Sequence, residues 1–198
     1  GQQMGMDVGG HLDVGPHAVM AHILQFGQEF FLQVNEHGER FTNEDLSMTN
    51  IAKVMQNQPG SKVFQIIDSH WPEQYPMLEM VMQNIRSYGD GEGFSAQADT
   101  LEELCQKSGM NLEGLKSQIE LWNKAVETKN DTQFGRTDQQ HKIGAGPYRM
   151  IRMFPWNNLS CGGVRVTEHF EVLGWDMKPV NGFYAAGETV AGVHGAFY

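Results

Sequence analysis

Cysteine is nearly absent from this chain: Cys105 and Cys161 are the only two in 198 residues, and no CxxC or metal-type spacing joins them. Neither a disulfide framework nor a zinc site is expected. Eight histidines are scattered along the sequence. His11, His17 and His22 share one short segment, but His17 and His22 are five apart and cannot stack on one helical face, so no metal is assigned there. No apolar run approaches the roughly 18 residues that span a bilayer, and no signal peptide is visible. The expectation is a soluble chain, cytoplasmic or exported to a bacterial cell envelope. Basic residues are also scarce, 14 Lys and Arg against 24 Asp and Glu for a formal charge of −10. That balance disfavours nucleic acid and anionic membrane as partners. Finally, no GxGxxG follows a strand, so no complete Rossmann unit is expected. Internal repeats, low-complexity tracts and long linkers are absent too.

With 40% hydrophobic and 19% charged residues, the chain can build one or two cores. The coarse reading is α+β. Residues 30–34 (FFLQV) are β-rich, and a Glu36-His37-Gly38 turn joins them to Arg40-Phe41 as a hairpin. KVFQIID at 62–68 reads as a buried strand whose terminal Asp68-Ser69 can cap a following helix. Residues 101–108 form a short amphipathic helix with Leu101, Leu104 and Cys105 on one face, capped by Asp99 or Thr100. A longer helix over 112–129 carries Leu115, Ile119, Trp122 and Val126 at helical spacing. The polar run 137–146 is a loop, Pro59-Gly60 lies in a surface turn, and YGDGEGFS at 88–95 is a flexible turn rather than a phosphate loop, because it lacks a lysine. In the segment 146–158, strand alternation puts Tyr148, Met150 and Arg152 on one side and Arg149, Ile151 and Met153 on the other.

The most informative segment is GFYAAGETVAGVHGAFY at 182–198. A short apolar run feeds a Gly187–Glu188 turn and a loop with Gly192 and Gly195, where missing side chains let a flat ligand approach the backbone. A carboxylate after such a strand often binds ribose hydroxyls. VNEHGERFTNE at 34–44, the helical stretch 101–136 and SCGGVRV at 160–166 follow in one order. Together these segments resemble the fumarate reductase and succinate dehydrogenase flavoprotein superfamily. The likeness is greatest to soluble single-chain fumarate and urocanate reductases and to the 3-ketosteroid dehydrogenases.

The resemblance implies FAD as cofactor and a capping, or clamp, domain at 22–154, with partial FAD-domain segments at 1–21 and 155–198. The opening run at 1–12 is similar to the family's helix after its first large flavin segment. On this reading the chain is a fragment, inactive alone, and its first partner is the remainder of its own flavoprotein chain. A small-molecule substrate and an external electron donor are the other partners weighed. Gly162, Gly163, Ala186, Gly187, Glu188, His194 and Gly195 would approach the cofactor. Cys161 would lie near the flavin as a packed, inert thiol.

In the family's dicarboxylate reductases an Arg donates the proton, and a His and another Arg clamp the carboxylates. Here the matching positions hold Met48, Asn158 or Leu159, and Tyr198. A buried dicarboxylate without cationic partners would cost several kcal/mol to desolvate, so fumarate is not expected. The expected reaction is hydride transfer between flavin and a C=C bond conjugated to a carbonyl. Tyr198, placed as in the ketosteroid dehydrogenases, is the candidate proton donor or carbonyl polariser. Met48, Tyr148, Arg149, Arg152 and Asn158 are candidate substrate contacts. Two other readings stay open: a non-catalytic interaction domain derived from the superfamily, and a fumarate or urocanate-like acid reductase whose cations are Arg149 or Arg152.

Overall fold

The computed structural model describes residues 1–13, 17–21, 31–70, 80, 95–136, 138, 141–160 and 162–191, with backbone alone for 17–21 and 156–160. It divides into two compact units, residues 1–20 with 156–198, and residues 21–155. Among the described residues no helix is long and apolar enough to cross a membrane.

The 21–155 unit is built on a four-stranded antiparallel sheet. Its strands are β3 (Leu32–Asn35), β4 (Val63–Ile67), β5 (Ser95–Ala98) and β6 (Tyr148–Met153), in the order β3-β4-β6-β5. Register follows Val34↔Phe64↔Arg152 and Leu32↔Ile66↔Met150, with Ala98↔Tyr148 at the β5 edge. In-register partners share a face, so Leu32, Val34, Phe64, Ile66, Met150 and Ala98 form one apolar surface. Helices α3 (Leu101–Ser108) and α4 (Leu112–Thr128) supply the other half of that core with Leu104, Cys105, Leu115, Ile119, Trp122 and Val126. The opposite face is closed as well, since Gln33, Val63, Gln65, Ile67, Ile151 and Met153 are buried. Burial on both faces explains why β4 reads as an unbroken apolar run with one glutamine rather than as an alternation.

Local signals fix where these helices begin and end. The Thr100 hydroxyl accepts from Glu103 N–H at 3.2 Å, with Glu102 and Glu103 in the first turn and Gly109 left-handed at the end. Asn111 caps α4 by accepting from Gly114 N–H at 2.8 Å, and left-handed Lys129 closes it. The β3 hairpin meets α4 there: Asn111 N–H donates to Glu36 O at 3.0 Å, and a Cβ on Gly38 would collide with Leu115 N and Asn111 O. Only glycine, at φ +75, permits that approach. Helix α2 (Met48–Met55) starts on Ser47, whose hydroxyl accepts from Asn50 N–H, and buries Ile51, Ala52 and Met55.

The other unit is assembled from short pairings. Helix α1 (Gln2–Asp7) leads to β1 (Leu12–Asp13), which pairs with β8 (Gly163–Val164). Strands β9 (Glu171–Leu173) and β10 (Pro179–Tyr184) form a bulged hairpin, and β2 (His17–Ala21) pairs with β7 (Pro155–Ser160). Among the described residues, Val164, Val172 and Val190 are its buried apolar side chains. The run 1–12 is therefore only half helical. Gly9 at φ +85 ends the helix, and Gly10 bridges to Gly174 instead.

Candidate functional site

In the first unit the residues expected at a cofactor follow β10. Ala186, Gly187 and Glu188 are exposed, and Gly187 opens a 3-10 turn (Gly187–Thr189). Gly187 sits at φ +75, and no atom of the described residues lies within 4 Å of where its Cβ would be. An L side chain would be strained there and would fill open space, so the position suits close approach of a flat group to the backbone. Gly163 has a different local reason. A Cβ there would meet Thr189 O and the Val190 backbone, because Val164 bridges Val190 in parallel. Gly162 is buried and its carbonyl accepts from the Gln2 side chain at 2.8 Å. Cys161, His194, Gly195 and Tyr198 lie outside the described residues, as does most of the 88–95 turn.

In the second unit, β6 carries the substrate-contact candidates, and the loop before it is tied down firmly. Trp122 Nε1 donates to His141 O at 2.9 Å, Asn123 exchanges two hydrogen bonds with Ile143, and Asp68 Oδ2 accepts from Gly144 N–H at 2.6 Å. Asp68 also accepts from His70 N–H, forming a local turn at that strand end. Tyr148 O–H donates to Gly144 O at 2.9 Å. Burial first, then the negative charge of Asp68, pushes the Tyr148 pKa up, which keeps it a phenol.

Arg149 and Arg152 fall on opposite faces of β6, so they do not form one cationic cluster. The Arg149 guanidinium is engaged with Gln97 Oε1 at 2.5 Å. Arg152 is partly buried, and its Nε is buried with no acceptor among the described residues. Met48 is the first residue of α2 and half-buried. Asn158 lies in β7, of which only the backbone is described.

The RFTNE segment proves to be the centre of a buried ion network. Arg40 holds Glu44 side-on, Nε to Oε1 at 2.8 Å and Nη2 to Oε2 at 2.6 Å, and gives Nη1 to Asp131 at 2.7 Å. Arg136 pairs with Glu44 at 3.3 Å, Asp45 at 3.0 Å and Asp138 at 2.9 Å. The Arg40 guanidinium also stacks over Trp122 and Phe134, 5.1 and 5.0 Å from the ring centroids. Burial works against the charge on Arg40, but its hydrogen bonds to Glu44 and Asp131 and their charges hold its pKa above the ordinary value. Burial likewise acts to raise Asp131, and the Arg40 hydrogen bond outweighs it, leaving that carboxyl below its usual range. Asp45 is the exception: burial and a hydrogen bond with Asp138 raise it to about 6 against the pull of Arg136. The sequence signal for this network was the Arg–Glu spacing of four in RFTNE; its partners 91 and 92 residues away carried none.

A protein family described as the FAD binding domain matches residues 6–198. Among curated proteins, an NADH:fumarate oxidoreductase of Klebsiella pneumoniae (strain 342) is 32% identical over 163 residues, covering 82% of this chain and 17% of that protein. An acrylate reductase flavoprotein subunit of Shewanella woodyi (strain ATCC 51908 / MS32) is 30% identical over 183 residues, 91% of this chain and 33% of its own length. Among solved structures, the open conformation of a flavocytochrome c3 fumarate reductase superposes with a TM-score of 0.80 at 25% identity, over 99% of this chain and 35% of that one. The chain thus spans between a sixth and about a third of the proteins it matches here.

Proposed function

Because this chain belongs to the FAD binding domain family, a family of flavin-dependent oxidoreductases that is fumarate reductase-like in its relatives, we propose that it is the capping domain and C-terminal flavin-side portion of a reductase or dehydrogenase. The capping domain would be residues 22–154, flanked by FAD-domain segments at 1–21 and 155–198. The observation that carries this reading is the exposed turn at 186–188, with Gly187 left-handed and clear of every other described residue. Backbone at Ala186 and Gly187 would lie along the cofactor, and the Glu188 carboxylate would accept from ribose hydroxyls. Bound FAD supplies hydride transfer to or from an activated carbon.

The substrate class proposed is an alkene conjugated to a carbonyl and carrying at most one carboxylate. Met48, Asn158 or Leu159, and Tyr198 occupy the positions where the dicarboxylate reductases hold cations. A second free carboxylate would be desolvated there without a partner, at a cost of several kcal/mol. Tyr198 would donate the proton or polarise the carbonyl. The acrylate reductase relative bears a name that fits a monoacid substrate, and the fumarate oxidoreductase a diacid one. Residues 1–198 alone would be inactive, since no phosphate-cradling GxGxxG is among them.

The test is the absorption spectrum of the full-length protein, followed by anaerobic dithionite reduction and reoxidation by enones, monoacid alkenes and fumarate. Flavin bands with reoxidation by enones or monoacids are expected. Reoxidation by fumarate above all others would overturn the substrate argument, and absence of flavin would overturn the reading itself.

A further inference from the structure

Asn181–Gly182 is the one asparagine–glycine pair in the chain. Such a pair ordinarily marks a tight hairpin turn. Here the hairpin between β9 and β10 turns earlier, where Gly174 N–H donates to Lys178 O, and the pair lies inside β10. The strand is bulged at that point. Pro179 is opposite Leu173 and Tyr184 is opposite Glu171, so the four residues 180–183 face Val172 alone, and a bulge takes backbone out of the ladder. Gly182 is left-handed at φ +73, with no atom of the described residues within 4 Å of where its Cβ would be. Asn181 and Gly182 are both exposed, and no hydrogen bond holds the Asn181 side-chain amide among the described residues. Other asparagines are placed differently. Asn35, Asn43, Asn57, Asn111 and Asn123 each engage the side chain in a hydrogen bond. At exposed Asn50 the following N–H, that of Ile51, is committed to Ser47 O in the first turn of α2.

An asparagine side chain and the next backbone nitrogen are spaced to close a five-membered ring. A side chain on the following residue hinders that closure, and a regular ladder fixes the amide nitrogen in place; Gly182 and the bulge remove both obstacles. We propose that Asn181–Gly182 is a site of spontaneous covalent modification, at which the asparagine is converted through a succinimide to aspartate and isoaspartate. The Gly182 nitrogen, having lost its proton to hydroxide, attacks Cγ of Asn181. The N–Cγ bond forms, the Cγ–Nδ2 bond breaks, and Nδ2 leaves as ammonia after taking a proton from water. Water then opens the ring. Cleavage of the N–Cγ bond gives aspartate, and cleavage between the Asn181 carbonyl carbon and the Gly182 nitrogen gives isoaspartate. One water is consumed and one ammonia released, with no oxidant or reductant. The conversion adds a negative charge to β10 and, in the isoaspartyl product, an extra backbone atom, in the strand that delivers the exposed turn at 186–188. It is independent of the reaction proposed above.

The test incubates the full-length protein in oxygen-18 water at mildly alkaline and mildly acidic pH. Beside it run a synthetic peptide with the sequence of residues 176–186 and the variant Asn181→Gln, whose longer side chain would have to close a six-membered ring. Peptide mapping by mass spectrometry is expected to show progressive loss of the Asn181 peptide from the folded protein, faster at the alkaline pH. Two acidic isomers should replace it, each carrying one oxygen-18, with the isoaspartyl form in excess. Protein isoaspartyl methyltransferase with labelled S-adenosylmethionine should then methylate the aged wild-type protein and leave aged Asn181→Gln unlabelled. Asn181 that persists in the folded protein while the free peptide converts would overturn the proposal. So would conversion spread equally over the other asparagines, or methylation undiminished in Asn181→Gln.

Discussion

Arg40 and Arg152 lie on one row across the 21–155 sheet, through Val34 and Phe64, and their surroundings differ in kind. Around Arg40 every charged nitrogen faces a carboxylate oxygen, two aromatic rings cover the guanidinium, and Arg136 shares the Glu44 carboxylate. Around Arg152 the fold supplies a buried edge and no acceptor. The first arrangement ties the β3 hairpin to the 131–138 segment and serves the fold. The second leaves the Arg152 Nε without an acceptor among the described residues. Within one sheet, the same residue type is thus fully satisfied in one place and left with an unpartnered Nε in another.

The sharpest way to break that contrast is to remove one member of the satisfied network. Glu44→Gln leaves Arg40 and Arg136 buried around a neutral amide, and stability should fall by about 3–5 kcal/mol, read by urea unfolding; a loss below 1 kcal/mol would mean that the network is dispensable. Gln33 offers the opposite sign. It is fully buried in β3 and neither polar atom has a partner among the described residues, so Gln33→Leu should stabilise by about 1–2 kcal/mol; destabilisation would show that this amide is satisfied in solution. Arg152→Met should change stability by less than about 1 kcal/mol, and upward if at all, because a charge without a partner is being withdrawn. A large loss there would erase the distinction from Arg40.

The smallest expected effect concerns pH. Asp45 has a folded pKa of about 6, above the roughly 3.9 of an unfolded aspartate. Its contribution to stability is therefore fully present below about pH 4 and is lost as pH rises through 6. Asp131, lowered by Arg40, and Asp138, lowered chiefly by its hydrogen bond from Arg136, act with the opposite sign and lose their contribution on acidification. Asp45 is about a third exposed, so solvent screening limits its share to less than about 1 kcal/mol. Asp45→Asn should gain on the wild-type protein as pH rises from 4 to 7, measured by thermal unfolding at fixed ionic strength. A difference independent of pH would place the raised pKa elsewhere.

Much of the 21–155 fold was legible because it is periodic. The stripe Leu115, Ile119, Trp122, Val126 is buried as a helix face, β4 is buried along its length, and Thr100 caps α3. The hairpin at 34–40 was legible from its turn residues, and Asn35 holds it by accepting from His37 and Glu39 N–H. What escaped depends on distant or backbone-level effects. The helix expected over 1–12 stops at Asp7, since Gly10 pairs with Gly174 far along the chain. The close approach of Gly163 to the chain's own backbone at 189–190 gave no local sign either. Asp131 and Arg136 gave no local sign that they complete the Arg40 network. Of the site, the open turn at Gly187 and the two faces of β6 were readable from glycine placement and alternation. The lack of a partner on Arg152 was not, because satisfaction of a side chain is a property of the packed sheet.

The central claim is the proposed one, that this chain is part of a flavin enzyme whose substrate is an alkene conjugated to a carbonyl with at most one carboxylate. Its most direct test is the rate at which enones, monoacid alkenes and fumarate reoxidise the dithionite-reduced full-length protein. The account predicts enones or monoacids fastest. Fumarate fastest, or a full-length protein without flavin bands, would contradict it.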